Sequence, residues 1–147
     1  MSGEDAPGAG YTLGRVLDHV ALRVADYPAS RRFYMALFAA LGLSDHVREG
    51  PDGLDIDELY IGPARQGGPV TRGLHLCLQA KNRAEVQAAH AQGVSAGGLD
   101  HGAPGLRDYH PGYYAAFLLD PDGNNIEIKA DERVTSRSAP FIEVGTG

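Results

Sequence analysis

The chain repeats itself. His19 and His75 stand 56 positions apart, each in a short aliphatic run followed by a helix-like segment and then further strand-like runs. A chain of 147 residues that spells one strand–helix–strands pattern twice fits one domain built from two similar halves. In the first half, Val16 to Val24 is rich in β-branched and aliphatic residues and reads as a strand. Asp26 and Pro28 mark a helix start. Ser30 to Leu41 carries Phe33, Leu37, Ala40 and Leu41 at helical spacing, with Gly42 as a C-terminal cap. Weaker strands run to Ile61, broken at Gly50-Pro51-Asp52-Gly53. In the second half, Gly73 to Ala80 reads as a strand. Asn82 with Glu85 starts a helix over Ala84 to Gln92, and Gly93 is expected to end it. Ser95 to Gly112 reads as a long loop, followed by strands at Tyr113 to Leu119 and Asn125 to Lys129 around the turn Asp120-Pro121-Asp122-Gly123.

Few helices and many strands imply an α+β fold. Each helix covers one face of a mostly antiparallel sheet, and the other face stays open. The expected boundaries are a flexible arm at 1–12, a domain over 13–130 and a tail at 131–147. Module one covers 13–62, the linker 63–72 and module two 73–130. Within the tail, Phe141 to Val144 could add an edge strand or a partner contact.

Strand alternation sorts the side chains. Leu74, Leu76, Leu78 and Ala80 form an apolar face, with His75, Cys77 and Gln79 opposite. Ile126 and Ile128 share one face, and Asn125, Glu127 and Lys129 the other. His19 lies opposite Val20, Leu22 and Val24. The apolar faces need the helices, so His19, His75 and Glu127 fall on the open face. Two neutral imidazoles and a carboxylate suit one divalent ion (Fe, Zn, Mn or Ni), at about 2.0–2.2 Å for zinc. Three protein ligands leave coordination positions for substrate or water.

Composition narrows the partners. A net charge of −6 with no basic stripe argues against nucleic acid. The longest apolar stretch, Phe33 to Leu43, is too short to span a bilayer. The acidic, Gly- and Ala-rich N-terminus has no targeting pattern, and the single Cys77 allows no intrachain disulfide, so a cytoplasmic protein is expected.

Leu17-Asp18-His19-Val20-Ala21-Leu22-Arg23-Val24, Arg32-Phe33-Tyr34 and Asp120-Pro121-Asp122-Gly123-Asn124-Asn125-Ile126-Glu127 resemble the vicinal oxygen chelate superfamily. That superfamily includes glyoxalase I, bleomycin-resistance proteins, fosfomycin-resistance enzymes and extradiol dioxygenases. The resemblance spans about 14–130 and is most specific at the last segment. It implies two βαβββ modules forming a cupped sheet, with helices on the outer face, around a metal. Ligands come from the first and last strand of each module, here His19, His75 and Glu127. Where glyoxalase I places a Glu at the end of module one, this chain aligns Tyr60, with Glu58 one pair earlier. That favours the three-ligand pattern and makes Tyr60 a cavity-wall aromatic. Related proteins carry a stretch similar to Tyr109-His110-Pro111-Gly112-Tyr113.

His110 is a candidate acid or base because imidazole titrates near neutrality. The competing reading is a loop residue fixed by local hydrogen bonds. Tyr113 could position a substrate oxygen, Glu58 could move a proton, and Tyr109 and Cys77 would line the pocket. Cys77 reads as a filler rather than a nucleophile.

The resemblance implies a metal-dependent dioxygenase, lyase or isomerase acting on a small substrate with neighbouring oxygens, and a homodimer by analogy. The alternative is a metal-free small-molecule or antibiotic-binding protein. A third reading is a subunit or regulatory domain with a vestigial site.

Overall fold

The computed structural model describes residues 11–13, 16–136 and 142–144. Residues 1–10 of the expected arm, and 137–141 and 145–147 of the expected tail, lie outside the described residues. The elements are β1 (Tyr11–Leu13), β2 (Val20–Val24), α1 (Tyr27–Ala40), a 3-10 turn (Ser44–His46), β3 (Arg48–Gly50), β4 (Gly53–Ile56), β5 (Leu59–Pro63), β6 (His75–Gln79), α2 (Arg83–Ser95), β7 (Leu99–Leu106), β8 (Tyr113–Leu119), β9 (Asn125–Asp131) and β10 (Ile142–Val144).

Two βαβββ modules result. One sheet has the order β2-β5-β4-β3 and the other β6-β9-β8-β7. Each joins its first and last strands in parallel and pairs the rest antiparallel. β1 and β10 form a separate antiparallel pair, with Tyr11 opposite Val144.

Both helices start where a side chain caps them. Asp26 Oδ1 accepts from the Ala29 N–H at 3.1 Å, and Asn82 Oδ1 from the Glu85 N–H at 2.9 Å. Glu85 reaches back to the Lys81 N–H at 2.8 Å. The apolar stripe of α1 buries Phe33, Tyr34 and Leu37. It meets Leu22 and Ile61 from the first sheet and Val86, Leu118 and Ile126 from the second half in one shared core. Each large side chain removed from water there contributes about 1.5–3 kcal/mol before entropy is counted.

Three sequence expectations change. Gly93 does not end α2; it lies inside the helix and is buried. A Cβ there would come within 2.9 Å of both Leu37 and Leu118, so the bare backbone lets α2 pack closely on its neighbours. The expected loop at 95–112 contains β7, disguised by its Gly and Pro content and by two register shifts against β8. The first strand also begins later than expected, at Val20. Its parallel partner β5 starts only at Leu59, after the left-handed Asp57 (φ 50°), so residues 16–19 have no strand to pair with.

A buried polar cluster also joins the halves. Asp120 Oδ2 accepts from the Tyr34 hydroxyl at 2.6 Å. Asp120 Oδ1 accepts from the N–H groups of Asp122 and Asn124 at 2.9 and 2.8 Å. Asp122 accepts from the Ala25 N–H at 3.3 Å, and the Asn124 amide donates to Thr71 O at 2.9 Å. Burial and Asp120 keep the Tyr34 phenol far above its ordinary pKa, hence a hydrogen-bond donor. The Asp-Pro-Asp-Gly-Asn-Asn turn therefore clamps module two onto α1 and the linker.

Candidate functional site

The open face of module two carries the most developed cluster. The register sets Cys77 beside Glu127 in β9, and Glu127 opposite Phe117 in β8. Glu127 is only 3% exposed although its strand face is the open one. Its carboxylate is held from two sides. His75 Nε2 meets Oε1 at 2.9 Å, and the Tyr113 hydroxyl donates to Oε2. A buried carboxylate needs such partners, because an unpaired charge out of water is costly.

The surroundings set the chemistry. Burial, then the bond to Glu127, raises the Tyr113 phenol well above its usual range, so it stays protonated. Lys129 Nζ lies 4.3 Å from the centre of the Tyr113 ring. The rings of Tyr109 and His110 approach Tyr113 at 4.9 and 5.0 Å. Cys77 is solvent-exposed as a residue, yet burial around its sulfur and the Glu127 carboxylate push the thiol up to about 12. It is therefore a thiol rather than a thiolate at neutral pH.

The remaining sequence candidates fall in different places. His19 lies just before β2, its side chain 54% exposed, with Nδ1 on Asp18 Oδ1 at 2.8 Å. It is not brought to His75 and Glu127: among the described residues no group of three His, Cys, Asp or Glu is arranged to hold a metal ion. Tyr60 occupies in module one the register position that Glu127 occupies in module two, opposite Ala21 and Asp55, and is half-buried. Glu58 and Cys77 share a cavity of about 150 Å³ whose floor includes Phe38, Leu41 and Leu59. His110 has both ring nitrogens engaged, Nδ1 with Pro111 O at 2.8 Å and Nε2 with Arg133 Nη2 at 3.0 Å. Arg133 also chelates Asp131 and holds that carboxyl far below its usual range. Tyr109 is largely exposed at the rim. Phe117 and Lys129 had no role assigned from sequence. Their alternation with Glu127 along paired strands is the signal that places them.

The donor chemistry fits a divalent cation. The two atoms that would grip it, an imidazole nitrogen and a carboxylate oxygen, already face each other with a proton's width between them.

A family comparison agrees with the architecture. The model for the Glyoxalase/Bleomycin resistance protein/Dioxygenase superfamily matches residues 16–128. The chain belongs to that superfamily. Among solved structures, a glyoxalase/bleomycin resistance protein from Albidiferax ferrireducens T118 is 30% identical with a TM-score of 0.60, covering 78% of this chain and 97% of that one. The oxidase ChaP-H1 is 27% identical (TM-score 0.56), covering 80% and 96%. A glyoxalase-related enzyme from Fulvimarina pelagi is 22% identical (TM-score 0.64), covering 92% and 100%, and shows the fold. The comparison with curated proteins found no match. No helix among the described residues is long and apolar enough to cross a membrane.

Proposed function

We propose that the chain is a divalent-metal-dependent enzyme acting on a small substrate with vicinal oxygens, by dioxygenase-like or lyase/isomerase-like chemistry. The observation that carries this is the buried Glu127 carboxylate facing His75 on an open sheet face. Glu127 and His75 supply two ligands. The third in this reading is His19, which lies apart from the pair within one chain, so the reading calls on a homodimer in which the second copy supplies it.

The metal, when bound, acts as a Lewis acid toward the substrate oxygens. The chain's own groups do the rest. Tyr113, protonated, donates its one O–H to the Glu127 carboxylate and can donate to a substrate oxygen only after releasing it. Phe117, Tyr109 and Tyr113 give the face an aromatic lining. Glu58, which lines the same cavity as Cys77, is the candidate for moving a proton there. His110 joins proton transfer only after releasing Arg133 or Pro111 O.

The test is elemental analysis of untagged protein, with His19→Ala, His75→Ala and Glu127→Gln. Each variant should lose metal while staying folded. Mixing refolded His19→Ala and His75→Ala chains should restore one metal per heterodimer, about one per four chains after random re-pairing, since one of the heterodimer's two shared sites is intact. Full metal retention by His75→Ala would sink the metal reading; no recovery on mixing would sink the shared site. Saturable antibiotic binding by chelated wild-type protein would favour the metal-free alternative.

A further inference from the structure

We infer that Arg107 is a built-in anchor for an anionic group on the ligand, so that the site takes a planar anion, a carboxylate-bearing aromatic or enol-like body, rather than a neutral one. This deepens the reading of the His75–Glu127 face as the ligand face and rests on it.

The anchor is constructed. β7 breaks register at Asp100/Gly102 and Gly102/Gly105. Those irregularities turn the carbonyls of Ala103 and Gly105 toward Arg107, which donates Nη2–H to the first at 2.7 Å and Nη1–H to the second at 2.9 Å. The glycines clear the space. A Cβ on Gly102 would stand 2.9 Å from Phe117 Cδ1 and 3.3 Å from Arg107 Nη2, and one on Gly105 would stand 3.1 Å from Nη1. The guanidinium therefore lies over Phe117, its carbon 5.4 Å from the ring centre. The other neighbour of that ring is His75, at 6.3 Å between ring centres.

A guanidinium thus fixed has lost most of its side-chain freedom before any ligand arrives. It has five N–H groups. Two meet backbone carbonyls; the Nε–H and one on each terminal nitrogen have no acceptor among the described residues. No carboxylate among the described residues pairs with it, whereas Arg31, Arg83 and Arg133 all do so with Glu49, Glu132 and Asp131. Glu127, the nearest buried acid on this face, has both oxygens committed to His75 and Tyr113. An arginine held over an aromatic ring, with no carboxylate partner among the described residues, beside the His75–Glu127 pair, suits a ligand whose planar body packs against the His75 side of Phe117 and whose anionic group reaches the guanidinium.

Benzoate and benzamide are the probes. They match in shape, differ in charge and carry no chelating oxygen pair, so the experiment runs on chelator-treated wild-type protein by calorimetry or chemical-shift titration. Benzoate should bind about tenfold tighter than benzamide. Arg107→Gln should bring the two within about twofold, Arg107→Lys should keep part of the preference, and Lys129→Gln should keep most of it. Added salt should weaken benzoate alone. No benzoate preference in the wild type, or a preference that survives Arg107→Gln or vanishes only with Lys129→Gln, overturns the inference. If Arg107→Gln proves unfolded, the salt response and Arg107→Lys decide. The metal reading fails separately: catechol would then bind metal-loaded and chelated protein alike, whatever benzoate does.

Discussion

The two modules place a histidine at corresponding positions and then treat it differently. His75 is the first residue of β6 and faces a buried acid in the neighbouring strand. His19 falls outside β2 and, among the described residues, meets its sequence neighbour Asp18. The register locates the difference: Cys77 pairs with Glu127 in module two, Ala21 with Tyr60 in module one. Module one therefore has Tyr60, not a carboxylate, at that position of its last strand, and β5 does not extend back to pair with His19. A fold repeated twice carries a paired His–Glu in one half and an exposed histidine in the other.

Four measurements break or sharpen that contrast. The largest effect should come from the joint between the halves. Asp120→Ala removes the acceptor of the buried Tyr34 hydroxyl and of two turn N–H groups and should cost about 4 kcal/mol of unfolding free energy, read from denaturant curves, lowering the stability of both halves together. Intact two-state unfolding at wild-type stability would show that the modules do not depend on this clamp. Gly93→Val should cost about 2 kcal/mol, because its side chain must displace Leu37 and Leu118 across the shared core.

The histidines themselves come next. In metal-free protein His75→Ala leaves Glu127 Oε1 without its partner and should cost about 2 kcal/mol. His19→Ala should stay within about 0.5 kcal/mol as a surface change. Equal costs would erase the asymmetry.

The smallest effect is at Cys77. Its thiol is raised, so thiolate is scarce at pH 8 and alkylation should keep accelerating toward pH 12, where an unperturbed thiol levels off near pH 9. Glu127→Gln removes a carboxylate that raises this pKa and should speed alkylation about tenfold at pH 8. A slower or unchanged rate would mean that the carboxylate does not act on the sulfur.

Much of this was legible in the residues. The repeat, both helix caps, the Asp120-Pro121-Asp122-Gly123 turn and the shared face of His75, Cys77 and Glu127 follow from periodicity and capping chemistry, which are local. What misled was also local. Gly93 looks like a helix stop because nothing nearby in sequence shows Leu37 and Leu118 crowding it. β7 reads as a loop because its glycines serve Arg107 rather than a turn.

The sequence alone determined two modules, their strand faces and the donor types on the open one, since alternation and capping depend on neighbours a few residues away. Only the tertiary structure decided that His75 meets Glu127 while His19 does not, that Tyr113 rather than His110 touches the carboxylate, and that Arg107 lies on Phe117. Those depend on strand register and on which chain segments end where, and register is set by packing between residues far apart in sequence.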